Sequence, residues 1–147
     1  MVTKKIIFAT DFSHHSDAAL SQAASLARDS DGTLLIVHVE ELPTLYGEGS
    51  MYYGVPEPDR SALEKMLAAI VPDDPSVRYE HRLLFGSPAE ELVGLAEREK
   101  ADLIVMSTHG RTGLMRMLMG SVAELVVRKA SCPVLTFKPA PAEKVVV

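Results

Sequence analysis

The chain has little of what several protein classes require. Its 147 residues include one cysteine, Cys132, and no tryptophan. A single cysteine excludes a disulfide within the chain and fits a reducing compartment, and its place before Pro133 favours a buried thiol over a reactive one. No apolar run reaches the roughly 20 residues that span a bilayer, and the run before Asp11 is too short for a signal peptide. We therefore expect a cytoplasmic protein without a membrane partner.

Basic charge and most catalytic motifs are also scarce. The chain has 15 Lys and Arg residues against 20 Asp and Glu residues, for a net charge of -5. A nucleic-acid binder of this size normally presents a basic face, so no nucleic-acid partner is expected. There is no P-loop, no Gly-x-Gly-x-x-Gly after the first strand, and no HExxH, CxxC or serine elbow. The five histidines lack metal-ligand spacing, so we assign no catalytic residue and no metal site.

The hydrophobic pattern predicts one α/β domain. Continuous apolar runs typical of buried parallel strands occupy 5–10, 33–39, 102–106 and 132–137, whereas 77–85 alternates like a half-exposed edge strand. Helices are predicted to follow Ser13, which is expected to cap the first of them, up to Asp31-Gly32, and to lie over 59–70, over 87–100 and from 121. A loop rich in glycine and proline spans 40–58. The domain covers residues 1–138 and leaves 139–147 as a tail.

The order of these elements predicts a single-domain, open, five-stranded parallel sheet with helices on both faces, of the Rossmann-like kind. An edge strand at 77–85 and a core strand at 5–10 favour the strand order 3-2-1-4-5. Ligands bind outside the carboxyl ends of the strands where such a sheet changes direction. Asp11 follows the first strand and Ser107 to Gly110 follow the fourth, so two distant stretches are expected to meet at one crevice.

The stretch from Ser107 to Ser121 is the most informative motif. Ser107-Thr108-His109-Gly110 follows a buried strand, and Gly120-Ser121 comes nine residues later, where a helix begins. Small residues let a bound group approach the main chain, and a helix start offers backbone N–H groups and a positive dipole end to an anion. The arrangement suits a nucleotide. Ser121 has an alternative role as the helix cap in a Ser-x-x-Glu box with Glu124.

This motif resembles the nucleotide-binding signature of the universal stress protein family, which is Gly, two residues, Gly, nine residues, then Gly-Ser or Gly-Thr. Gly110 and Gly120-Ser121 match it, and Ser107 stands in place of the first glycine. The resemblance extends to about residue 138. It implies ATP, with or without Mg²⁺, a role in stress adaptation with at most slow ATP hydrolysis, and a homodimer formed through the last strand, Cys132–Phe137.

The resemblance implies that Asp11 contacts the nucleoside and that the main chain of Val39 binds the adenine edge. From the residues themselves, Arg111 or Arg116 is expected to offer countercharge to phosphate. Other readings stay open: Asp11 as a carboxylate held by N–H groups at a helix start, Val39 as a core residue, and His109 as support for its loop. His38 is more typical of a core histidine with its hydrogen bonds satisfied. The complete set of expected nucleotide-binding residues is Ala9, Thr10, Asp11, Val39, Met106, Ser107, His109, Gly110, Arg111, Gly120, Ser121 and Val122.

The serine at position 107, in place of the first motif glycine, leaves two functions open. If the main chain there needs a positive φ, a serine costs on the order of 1 kcal/mol; if φ is negative, the cost is small and the hydroxyl can reach a ribose. The alternative function is a stress-linked interaction module that binds an unknown protein partner and no nucleotide. A nucleotide hydrolase acting between the α and β phosphates ranks last, because it would need an additional substrate domain.

Overall fold

The computed structural model describes residues 4–41, 59–108 and 119–138. Five strands, four α-helices and a short 3-10 turn at His14–Ser16 lie in these ranges. The strands are β1 Lys5–Ala9, β2 Thr33–Glu40, β3 Arg78–Phe85, β4 Leu103–Ser107 and β5 Val134–Phe137, and the helices are α1 Asp17–Asp29, α2 Arg60–Ala68, α3 Pro88–Glu99 and α4 Ser121–Lys129. Among these helices, none combines the length and the apolar character that crossing a membrane requires.

All strand pairs are parallel, and the order is β3-β2-β1-β4-β5, which confirms the predicted topology. Strand β1 lies at the centre, with Ile7 opposite Leu35 of β2 and Ile104 of β4. Strand β3 forms one edge and is half-exposed, as its alternating sequence predicted. The carboxyl ends of β1, β2 and β4 therefore meet at one end of the sheet.

Strand β5 forms the other edge and starts at Val134, not at Cys132 as predicted. Pro133 has no N–H to donate to a ladder, although its carbonyl oxygen still accepts from the Ile104 N–H at 3.0 Å. Cys132 is half-buried just before the strand. Burial raises the pKa of its thiol above the ordinary value, which disfavours the reactive thiolate and agrees with the prediction of a buried thiol.

Helices cover both faces of the sheet, as predicted, because successive residues of β1 point to opposite faces. Ile6 and Phe8 pack with α1 and α2, and Ile7 packs with α3 and α4. Helix α1 approaches the sheet through fully buried small residues, namely Ala19, Ala23 and Ala27. Each face of the sheet therefore has its own hydrophobic core. The two cores fix the position of β1 and of the residues that follow Ala9.

Gly32 joins α1 to β2 at the predicted place. Asp31 adopts a left-handed φ of 54°, and the Gly32 N–H donates to the Ala27 carbonyl at 2.8 Å, which is the hydrogen bond of a Schellman helix end. A Cβ on Gly32 would lie 2.5 Å from the carbonyl oxygen of Lys4. That oxygen accepts from the Thr33 N–H at 2.8 Å and starts the pairing of β1 with β2. Only glycine fits there without a shift of backbone.

We expect Gly32→Ala to lower the free energy of unfolding by about 1–3 kcal/mol, because the added methyl group would overlap backbone that cannot move freely. The measurement is the midpoint of urea unfolding. Gly94→Ala is the matched control: its Cβ would approach only the end of the flexible Arg98 side chain, at 3.1 Å. Alanine inside α3 should stabilise by roughly 0.5–1 kcal/mol. Equal losses in both variants would contradict the close-approach argument.

Candidate functional site

A cleft of about 440 Å³ lies at the carboxyl ends of β1, β2 and β4, where the strand order reverses. Its volume falls in the usual range for small-molecule sites, roughly 300–1,000 Å³. Nine of the twelve expected nucleotide-binding residues line it: Ala9, Thr10, Asp11, Val39, Met106, Ser107, Gly120, Ser121 and Val122. The other three, His109, Gly110 and Arg111, lie outside the described residues, as does the tail 139–147.

The turn after β1 is fixed by local hydrogen bonds. The Thr10 N–H donates to the Val37 carbonyl at 2.9 Å, so β2 holds the strand end. The Phe12 N–H donates to Thr10 Oγ1 at 3.0 Å, and the same hydroxyl lies 3.3 Å from Ser16 Oγ. Phe12 has a φ of 68°, which is rare for a bulky residue. The chain thus reverses sharply at Thr10-Asp11-Phe12 and keeps Asp11 on the cleft wall.

Asp11 has a structural role besides its place in the cleft. Its Oδ1 accepts from the Ser13 N–H at 3.0 Å and from the Ser13 hydroxyl, so the reading of a carboxylate held at a helix start is correct in part. Ser13 does not cap α1 as predicted. Its hydroxyl donates to Asp11, and the 3-10 turn His14–Ser16 separates Ser13 from the start of α1. A carboxylate has about four acceptor positions, so holding the turn does not prevent Asp11 from accepting a ligand hydroxyl.

His38 is a core histidine with satisfied nitrogens, as expected, and it also belongs to the site. Its side chain is only 3% exposed. Nδ1 lies 2.8 Å from the Thr10 carbonyl oxygen, and Nε2 lies 2.6 Å from Glu40 Oε2. The imidazole also stacks on Phe12, with ring centroids 4.1 Å apart. Sequence reasoning missed Glu40, which lines the cleft together with Glu41 and Thr108.

Ser107 ends β4 in extended conformation, opposite Phe137 of β5. Among the described residues, positive φ at non-glycine positions occurs at Phe12, Asp31 and Lys100, and not at Ser107. The left-handed penalty considered for a serine therefore does not arise. The Ser107 hydroxyl lies 3.4 Å from the Phe137 carbonyl oxygen, so it is accommodated beside the last strand, while Met106 before it is buried at the cleft.

The start of α4 differs from the prediction in two ways. Gly120, not Ser121, is the N-cap residue, so the proposed Ser-x-x-Glu box is wrong: Ser121 is the first helical residue, and Glu124 Oε1 accepts from Arg128 at 2.7 Å. The second difference concerns the Gly120 N–H, which was expected to be available to an anion. It donates instead to the Thr108 carbonyl at 2.7 Å. The amides of Ser121, Val122 and Ala123 have no acceptor within their own helix and remain as anion donors.

The charge on the described cleft wall is negative. Asp11, Glu40 and Glu41 contribute carboxylates, and none of the described lining residues is a lysine or an arginine. No three His, Cys, Asp or Glu side chains in the described part of the chain are grouped to hold a metal ion. The arrangement suits a neutral, hydrogen-bonding nucleoside at the strand ends. A polyphosphate next to it would need added positive charge.

Comparison with known proteins shows the family to which the chain is related. The sequence model of the universal stress protein family matches residues 3–138. A universal stress protein of Methanocaldococcus jannaschii is 39% identical over 141 residues, which cover 92% of this chain and 82% of that protein.

Two solved structures share the fold. A protein of the same organism superimposes with a TM-score of 0.70 at 25% identity and covers 97% of this chain and 100% of its own. The universal stress protein of Archaeoglobus fulgidus in complex with dAMP gives a TM-score of 0.60 at 24% identity, with 92% and 98% covered. With its sheet order, its cleft and a family match over 3–138, this chain belongs to the universal stress protein family.

Proposed function

We propose that the chain is a stress-response regulator that binds an adenine nucleotide, ATP in particular, in the cleft between the end of β1 and the start of α4. The observation that carries the proposal is the convergence of residues from separate parts of the sequence, around Asp11, Val39, Ser107 and Gly120, on one cleft at the point where the sheet changes direction. The A. fulgidus relative is a complex with dAMP. At 24% identity that likeness speaks for the fold, so the proposal rests on this chain's own cleft.

Each part of the nucleotide has a suitable counterpart. Val39 and Met106 offer an apolar surface for the adenine, with the main chain of Val39 as partner for its polar edge. Asp11 supplies an acceptor for a ribose hydroxyl. The first turn of α4 supplies backbone donors and the positive end of a helix dipole for phosphate. Mg²⁺ carried by the nucleotide would offset the carboxylates of Asp11, Glu40 and Glu41.

The role is regulatory rather than metabolic. The sequence has no P-loop lysine to stabilise a transferring phosphoryl group, so hydrolysis is at most slow. An ATP-dependent regulator needs only to bind its nucleotide and to present a different surface to a protein partner when it does so. We place this activity in the cytoplasm, in agreement with the single cysteine.

The test is isothermal titration of nucleotide-stripped protein with ATP and Mg²⁺, ATP with EDTA, and adenosine. We expect micromolar ATP binding that weakens at least about tenfold in EDTA, since an uncompensated polyphosphate would face three carboxylates, and adenosine binding that EDTA does not change. Gly120→Val should abolish ATP binding and leave adenosine binding intact, because a branched side chain would stand at the phosphate end of the cleft.

The control for Gly120→Val is Val127→Ala, in the same helix at a position that is 46% exposed. It should bind ATP and adenosine like the parent chain. The Gly120 main chain has a φ of -60° and a ψ of 157°, which any residue adopts, so valine there introduces no backbone strain. Failure of the unaltered chain to bind either ligand would overturn the proposal and favour the interaction module.

Ser107→Gly tests whether the serine obstructs the proposed nucleotide site. Because Ser107 has no positive φ, glycine should leave the ATP affinity within about threefold, a difference of well under 1.4 kcal/mol. It should also lower the free energy of unfolding by roughly 0.5–1 kcal/mol, since glycine weakens a strand. A gain in affinity of tenfold or more in the same titration would show that the serine obstructs the site.

We further propose that two copies pair through the segment Cys132–Phe137. Strand β5 is an edge of the described sheet, and Leu135 is 38% exposed on it. An exposed apolar edge is a template for pairing unless it is covered or charged. Sedimentation should therefore show a dimer for the parent chain and a monomer for Leu135→Lys. Thr136→Ser, in the same strand, should stay dimeric. A Leu135→Lys variant with the same oligomeric state as the parent chain would contradict pairing through this segment.

A further inference from the structure

The pair His38–Glu40 is the buried titratable group that the proposed nucleotide contacts leave unexplained. His38 is 3% exposed near the carboxyl end of β2, and the Glu40 side chain is 22% exposed and lines the cleft. Histidines are seldom placed so deeply without hydrogen-bond partners. Here both ring nitrogens have one, at 2.8 Å and 2.6 Å.

The partners determine which ring nitrogen carries hydrogen. The Thr10 carbonyl oxygen can only accept, so Nδ1 must be the donor in that contact. Nε2 faces a carboxylate oxygen, and one proton lies between Nε2 and Glu40 Oε2, on either atom. In both arrangements Glu40 stabilises the form of the ring that donates from Nδ1, as a second hydrogen bond fixes the tautomer of a histidine.

The imidazole touches both ends of the turn that carries Asp11. On one side Nδ1 holds the Thr10 carbonyl, and on the other side the ring stacks on Phe12. These contacts bracket the peptide groups on either side of Asp11. The φ of 68° at Phe12 is unfavourable for an aromatic residue, so the turn depends on such contacts to persist.

We propose that His38 is a positioning residue that sets the orientation of Asp11 for the nucleoside, and that Glu40 locks His38 in the required donor form. The effect on ligand binding rests on the proposed nucleotide site. The positioning itself is a property of the free protein. Glu40 lines the same cleft as Asp11 and Glu41. A ligand that contacts Glu40 would therefore act, through His38, on the turn that carries Asp11.

The first experiment is ¹⁵N NMR of the histidine rings in the free protein at neutral pH. We expect His38 Nδ1 to be protonated and slow to exchange with solvent. Glu40→Gln should keep this signature, because its carboxamide can donate to Nε2, whereas Glu40→Ala should speed the exchange at Nδ1 markedly. The two variants remove the same charge, so their difference isolates the hydrogen bond. An unprotonated Nδ1 in the parent chain would overturn the proposal.

The second experiment compares His38→Leu with His38→Asn. The asparagine amide can donate to the Thr10 carbonyl from near the Nδ1 position, and leucine cannot. In His38→Leu we expect shifted backbone amide resonances for residues 11–13 and adenosine affinity weaker by about tenfold or more, the magnitude of one lost hydrogen bond. His38→Asn should restore adenosine affinity to within about threefold of the parent. Adenosine is used because its lack of charge removes direct electrostatic effects.

The outcomes separate this proposal from the nucleotide site. If the parent chain binds neither adenosine nor ATP, the proposed function fails, and the ring signature and amide shifts still decide whether His38 positions Asp11. A folded His38→Leu with parent-like shifts at 11–13 and parent-like adenosine affinity would overturn the inference. If His38→Leu does not fold, the comparison of Glu40→Ala with Glu40→Gln decides it.

Discussion

The parallel pairing of β1 with β2 on one side and with β4 on the other is the constraint on which the candidate site depends. It brings three strand ends together, and each delivers a different chemical group: a carboxylate at Asp11, an apolar side chain with a polar main-chain edge at Val39, and a hydroxyl at Ser107. The pairing is secured at its start by Gly32, where backbone approaches too closely for any side chain. A shift there would disturb the pairing of β1 with β2, the two strands whose ends carry Asp11 and Val39.

The cleft combines two opposing electrostatic features. The start of α4 favours an anion through its dipole and its first-turn amides, while Asp11, Glu40 and Glu41 disfavour one. Two of the acidic groups are already engaged, Asp11 with Ser13 and Glu40 with His38. Glu124, in the first turn of α4, is paired with Arg128. Because these carboxylates already accept hydrogen bonds from the protein, the proposed nucleoside and phosphate ends of a ligand would face acidic groups that are partly engaged.

The sequence predicted the strand order from patterns that are local in the chain, and it predicted nine positions of the cleft from strand-end topology together with the resemblance to the family signature. Continuous apolar runs mark buried strands, alternation marks the edge at β3, and residues next to strand ends are placed by topology alone. Errors arose where a polar group had several possible hydrogen-bond partners. The Gly120 N–H bonds to Thr108, and Ser13 bonds to Asp11 rather than capping α1. Glu40 was missed although its spacing from His38 offered a signal, because residues i and i+2 of a strand lie on the same face of the sheet.

The turn at Thr10-Asp11-Phe12 shows how such choices create a prepared site. A left-handed aromatic residue costs on the order of 1–3 kcal/mol, and the cost is offset by the bond from the Phe12 N–H to Thr10 and by the imidazole of His38. Since these contacts exist in the free protein, the geometry of Asp11 is set before any ligand arrives. Binding of the proposed nucleotide would then not have to order this segment, and affinity otherwise lost to loop ordering would be retained. The strain at Phe12 is therefore the local consequence of holding a carboxylate at the open end of the central strand.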